Sequence, residues 1–76
     1  MSPDQSRAAR GWLDISQQEL ADRANVSLST VRDFEKGRRT PISNNFVAIE
    51  RVFLEAGIEF LFEGGIAIGI ATRYRI

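Results

Sequence analysis

Along the first 57 positions the apolar residues recur at helical spacing, and after that they alternate. Ala8, Ala9, Trp12 and Leu13 form one stripe. Leu20 and Ala21 begin a second, Leu28, Val31 and Phe34 a third, and Phe46, Ile49, Val52 and Phe53 a fourth. Three- and four-residue spacing of this kind predicts amphipathic helices. From Ile58 onward, large residues stand at even numbers on both sides of Glu63-Gly64-Gly65, which is the pattern of a β-hairpin. The expected order is therefore helices over about residues 3–13, 17–24, 28–36 and 44–56, then a hairpin over 58–76.

Polar punctuation places the boundaries. Ser2 caps the first helix and Pro3 sits in its first turn, where a missing N–H costs nothing. Gly11 inside that helix is unfavourable by roughly 1 kcal/mol against alanine, which suggests the close approach of another element. Ser16 and Glu19 have capping-box spacing, so the second helix starts at Gln17, with Ile15 as the apolar staple before it. Asn25 stands where the chain must turn, and asparagine visits the left-handed region at little cost. Val26 plugs the corner, Ser27 caps the third helix and Gly37 ends it. Ser43 is expected to cap the fourth helix, which Gly57 closes. Two short helices joined by a tight bend and sharing one apolar seam make a helix-turn-helix pattern.

The residues that carry this pattern are Gln17, Ala21, Asn25, Val26, Val31 and Phe34, followed by the segment FEKGRRTP, Phe34 to Pro41. In these positions the chain resembles the Cro/lambda-repressor-like (Xre-like) DNA-binding family over about residues 6–57. Two departures are visible. Asn25 replaces the usual turn glycine, and Asp14 stands where the family often has glycine after its first helix. Both residue types tolerate left-handed geometry. The resemblance implies a mainly α fold, a four-helix lambda-repressor-like domain over residues 1–57, with a C-terminal β-hairpin over 58–76 added to it.

Composition bounds the chemistry. Seventy-six residues make one small domain. There is no cysteine, hence no disulfide or thiolate metal site, and no histidine, the commonest general base and metal ligand. No carboxylate pair, nucleophile–base pair or metal cluster stands out, so neither an enzyme nor a metal or other cofactor is expected. The chain has no run apolar enough to span a membrane and no signal peptide. A cytoplasmic protein without a membrane partner is the expectation. Ten basic and ten acidic residues give a net charge of zero, which is unusual for a DNA binder. The distribution is uneven, however. Arg32, Lys36, Arg38 and Arg39 cluster, while Glu50, Glu55, Glu59 and Glu63 lie beyond them. One basic face with modest non-specific attraction to phosphate follows.

Helix angles select the DNA-contacting residues. At roughly 100° per residue with Val31 inward, Phe34, Glu35, Ser27 and Leu28 fall on the inner side and Ser29 and Asp33 point away. Arg32 and Lys36 flank that outer pair, with Thr30 on the other edge. Arg32 could fork onto a guanine, Asp33 could accept from a cytosine amine, Ser29 could serve either, and Leu28 could touch a thymine methyl or be core. Asp33 also has a bland reading, as a partner holding Arg32 or Lys36. Gln17 beside a helix amino end suits a phosphate oxygen, the role its position has in the family; Thr30, Lys36, Arg38, Arg39 and Asn44 complete the expected phosphate contacts. Trp12 reads as a core or seam aromatic rather than a platform for bases. Glu35 lies on the inner side of its helix, where a lone carboxylate would be costly, and the resemblance implies pairing with Arg10.

The faces of the two strands distinguish the possible hairpin registers. A two-residue loop would put Phe60 and Phe62 opposite the isoleucines. A Glu63-Gly64-Gly65 loop pairs Phe62 with Ile66, Phe60 with Ile68 and Ile58 with Ile70 on one apolar face, and register follows the face that must be buried. This leaves Thr72 to Ile76 without a partner in the hairpin. The expected outcome is a homodimer interface that includes Phe60, Phe62, Ile66, Ile68, Ile70 and Tyr74, or else a hairpin folded on its own helices with a frayed end. In function, a sequence-specific DNA-binding regulator on double-stranded DNA, a homodimeric repressor or autoregulator, is the leading expectation. The alternative is an antitoxin-like or antiactivator-like module that binds another regulatory protein.

Overall fold

A computed structural model describes residues 1–73; the expectation for Tyr74 lies outside the described residues. Four helices, α1 (Pro3–Leu13), α2 (Gln17–Ala24), α3 (Leu28–Glu35) and α4 (Ser43–Glu55), precede strands β1 (Ile58–Glu63) and β2 (Ile66–Thr72). The mainly helical fold with an added hairpin is the one expected. Local chemistry explains most boundaries. Ser2 and Ser16 each accept from the third backbone N–H of their helix and form full capping boxes with Gln5 and Glu19. Asp14 and Asn25 end α1 and α2 in the left-handed conformation, both with φ 57°. These are the two positions where the sequence lacks a glycine, and a short polar side chain takes its place.

The helix packing follows the stripes. Ala9, Leu20, Ala21, Val31, Ile49 and Phe53 are fully buried, with Ile15, Ala24 and Ile58 around them. Phe34 meets Phe46 edge-on at 5.7 Å and ties α3 to α4, and Phe53 meets Phe60 at 5.9 Å and ties α4 to β1. Such aromatic pairs add about 0.5–1.5 kcal/mol beyond their burial. Three helix details differ from expectation. The N-cap of α4 is Ile42, which has no side chain to bond the first turn, and Ser43 is already inside the helix. Trp12 is 42% exposed, because at the C-terminal end of α1 the buried side is held by Ala9 and Leu13. A Cβ at Gly11 would meet nothing within 4 Å from any other element, so that glycine serves no close approach.

The hairpin corrects the register argument. Glu63 pairs with Ile66, so the loop has two residues, Gly64-Gly65, both at positive φ (59° and 81°). That is the twist-matched turn that favours hairpins. The objection to a two-residue loop was that it separates the phenylalanines from the isoleucines. A β-bulge removes it only below the bulge: Phe62 pairs with Ala67, on the opposite face from Ile66, and Leu61 pairs with Gly69, leaving Ile68 as the extra residue. Gly69, at φ 155°, accommodates the irregular backbone there. Past the bulge the register is shifted by one, and Phe60 faces Ile70 while Ile58 faces Thr72. Thr72 is therefore paired, and the Arg73 N–H donates to the Gly57 carbonyl at 2.9 Å. The six large side chains do not share one free face. Ile58, Phe60 and Ile70 pack on the chain's own core, whereas Phe62, Ile66 and Ile68 are 51%, 69% and 57% exposed. β1 lies against α4 and β2 against α1.

Candidate nucleic-acid interface

The bend between α2 and α3 is built from backbone bonds. The Val26 N–H reaches back to the Ala21 carbonyl at 3.0 Å and the Asn25 N–H to Asp22 at 3.2 Å. Val26 is then drawn against the core. The Ser27 hydroxyl accepts from the Thr30 N–H at 3.1 Å and shares hydrogen bonds with the Ser29 and Thr30 hydroxyls. These bonds start α3 at Leu28 and fix the amino end of its outward face.

Burial on α3 follows the angular reading except at Asp33, which was expected to point away from the core and is half-buried. Val31, Phe34 and Glu35 are buried; Ser29, Arg32 and Lys36 are exposed; Leu28, Thr30 and Asp33 are half-buried. Ser29, Thr30 and Asp33 line one side of an open concavity of about 200 Å³ whose other side is Arg39, Thr40, Pro41, Ile42 and Asn45. The loop is held there through α3 itself, since the Asp33 carbonyl accepts the Arg38 N–H at 2.9 Å and the Arg39 N–H at 3.4 Å. Among the described residues, Arg32, Lys36, Arg38 and Arg39 form no ion pair, and neither does the Asp33 carboxylate. The bland reading of Asp33, a clamp on Arg32 or Lys36, thus has no contact behind it. Four solvated cations next to an outward helix face form a surface that can neutralise phosphates. Asn44 is exposed in the first turn of α4, and it is its neighbour Asn45 that lines the concavity.

Behind this face lies a buried polar centre. Glu35 is 1% exposed. Its carboxylate accepts from Arg10 Nη2 at 2.7 Å and Nε at 2.9 Å, from the Ser6 hydroxyl at 2.6 Å and from Gln17 Nε2 at 3.1 Å. Burial pushes the Glu35 carboxyl up, but the hydrogen bonds from Arg10, Ser6 and Gln17 and the charge of Arg10 outweigh it and hold it below the usual carboxylate range. Arg10 also donates to the Ile15 carbonyl at 3.2 Å, and Arg7 bridges the Glu35 carbonyl and Asp4. The centre joins α1, the amino end of α2 and the last turn of α3. Gln17 spends one amide hydrogen on Glu35, and its amide has a second hydrogen to donate.

Sequence reasoning missed Ser6, Arg7 and Gln5. Ser6 precedes Arg10 by one helical turn and so shares its face, a signal that was available. Gln5 was available as the fourth residue of a Ser-x-x-Gln capping box. Its second role, in the hairpin, was not.

The geometry defines a helix-turn-helix DNA-binding protein. The helix-turn-helix family model of the Cro/C1 type matches residues 7–53, well over half of the chain. The chain belongs to the Cro/lambda-repressor-like (Xre-like) helix-turn-helix family and is a DNA-binding transcription regulator. No curated protein matches it in sequence. That family is a regulatory one and not typically enzymatic. Among the described residues no acidic cluster could hold a metal ion, and no helix is long and apolar enough to cross a membrane.

Proposed function

We propose that the protein is a sequence-specific, homodimeric repressor that acts by occupying a promoter. The observation that carries this reading is the outward face of α3 beside four cations that form no ion pair among the described residues. Ser29, Arg32 and Asp33, with Leu28 at the amino end, read base edges in the major groove. Gln17, Thr30, Lys36, Arg38, Arg39 and Asn44 take phosphates and set the register. Changing Arg38 and Arg39 together to alanine is expected to weaken binding to every duplex and to reduce the salt slope by about 2. Unchanged affinity and slope in a gel-shift or anisotropy titration would remove the loop from the interface.

A single short recognition helix reads few base pairs, so a second copy is needed for a useful site. The hairpin tip supports this: Phe62, Ile66 and Ile68 are large, apolar and exposed, with Phe62 on one face of the turn and Ile66 on the other, so a second copy would have to wrap the tip. Two copies joined there would set their recognition helices about 34 Å apart for half-sites one turn apart. Changing Phe62, Ile66 and Ile68 to serine should leave the fold intact, since these side chains are outside the core, and convert a dimer to a monomer by light scattering. A parent that is monomeric at binding concentrations refutes the dimer. The second reading, a module that binds another regulatory protein through the same tip, is favoured by the zero net charge. It predicts no salt-dependent shift of the protein's own upstream DNA.

A further inference from the structure

The hairpin changes character at its bulge. Below it, Ile58, Phe60 and Ile70 are packed on the helical core, and the strand pair is closed at its base by the Arg73 N–H to Gly57 carbonyl bond. Above it stands the exposed tip, Phe62 to Ile68. The tip is not packed tightly on α1, because an open space of about 210 Å³ lies between Ser2, Asp4, Gln5 and Ala8 on one side and Ala67, Ile68 and Gly69 on the other. At this junction sits Gln5, 2% exposed. Its Nε2 donates to the Leu61 carbonyl and to the Gly69 carbonyl, each at 2.9 Å. These two residues are a cross-strand pair next to the bulge, so one amide group grips both strands where the ladder is irregular. Its Oε1 accepts the Ser2 N–H at 2.9 Å, which locks the side chain in one orientation. The next residue, Ser6, is the one that donates to Glu35, so neighbouring residues of α1 hold the hairpin and the buried polar centre.

We propose that Gln5 is a positioning residue that sets the direction of the hairpin tip relative to α2 and α3, and through it the spacing of half-sites the dimer accepts. The proposal rests on the dimer reading above. Its physical basis is leverage. Burial of Ile58, Phe60 and Ile70 holds the base of the hairpin but is non-directional. A pair of hydrogen bonds to one amide is directional, and it acts where the bulge would otherwise let the tip swing. Any swing at the tip is transmitted to the whole of the second copy, and hence to the separation of the two recognition helices.

The test separates the grip from the cap. Gln5→Glu keeps an acceptor for the Ser2 N–H but has no donor for the two carbonyls; Gln5→Met removes both with little change in volume. The full chain and both variants are checked for fold by circular dichroism and for mass by light scattering. Each is then used to select from DNA pools in which the half-site is fixed and the distance between half-sites is random. The parent is expected to enrich one spacing. In the variants, preference for that spacing over one changed by a single base pair falls by on the order of tenfold, while affinity for an isolated half-site is unchanged. A loss that is purely structural would weaken single half-site binding as well, and that result overturns the proposal. A folded, dimeric variant that selects the parent's spacing just as sharply overturns it too, leaving the dimer reading in place. A monomeric parent overturns both.

Discussion

Truncating Glu35 to alanine tests the buried polar centre most directly. Its carboxylate is 1% exposed and accepts from Arg10, Ser6 and Gln17. Losing it leaves the guanidinium of Arg10, whose side chain is 19% exposed, without its counter-charge. Removing one partner of a buried ion pair costs about 3–5 kcal/mol. Arg10 keeps some water and its bond to the Ile15 carbonyl, so the lower end applies. The fully buried Ser6 hydroxyl can turn to a carbonyl one helical turn back, which limits its own cost. A loss of about 3 kcal/mol compares with a total stability of roughly 4–11 kcal/mol for a domain of this size at about 0.05–0.15 kcal/mol per residue. It lowers the melting temperature by about 12 °C or more at roughly 4–8 °C per kcal/mol. Urea and thermal denaturation followed by circular dichroism measure it. The double change Arg10→Met with Glu35→Met should be less destabilised than the sum of its single changes by more than about 1 kcal/mol, because no buried charge is then stranded. A Glu35→Ala loss below about 1 kcal/mol, or an additive cycle, refutes the reasoning. The same centre gives a pH signature. The folded-state carboxyl is held below its ordinary range, so its contribution is complete above that range and is lost as pH falls through the folded-state value. Glu35→Gln should therefore show a flatter acid limb of melting temperature against pH than the parent.

Two further predictions concern the reading helix and the hairpin. Arg32→Ala should cost about 1–3 kcal/mol at one base-pair position if its guanidinium is bidentate on a guanine, and an unchanged base preference in site selection would assign it to phosphate or solvent. Gly65→Val places a β-branched residue at φ 81° in the two-residue turn and should destabilise the chain by about 1–2 kcal/mol in urea; no loss would mean that the turn has another form.

Much of this molecule was determined by local sequence chemistry. The capping boxes at Ser2 and Ser16 and the left-handed ends at Asp14 and Asn25 are interactions within a few residues, and Leu20, Val31, Phe34, Ile49 and Phe53 each mark the inward stripe of their own helix. Those can be read along the chain. The outward placement of Ser29 and Arg32 follows from the same helical angle. Partner choice over long distances was decided only by the tertiary structure. Helical period could not show that Trp12 would end up exposed, because that depends on which elements cover the end of α1. Nor could it show Gln17 leaning on Glu35, although each lies on its predicted helix. The hairpin is the clearest case. Alternation identifies strands, but a bulge changes which side chains face inward beyond it, and here the bulge is held by a glutamine 56 residues away from Leu61 in the chain. Register is set by what the sheet packs on, and that surface, α1 and α4, exists only once the helices have assembled.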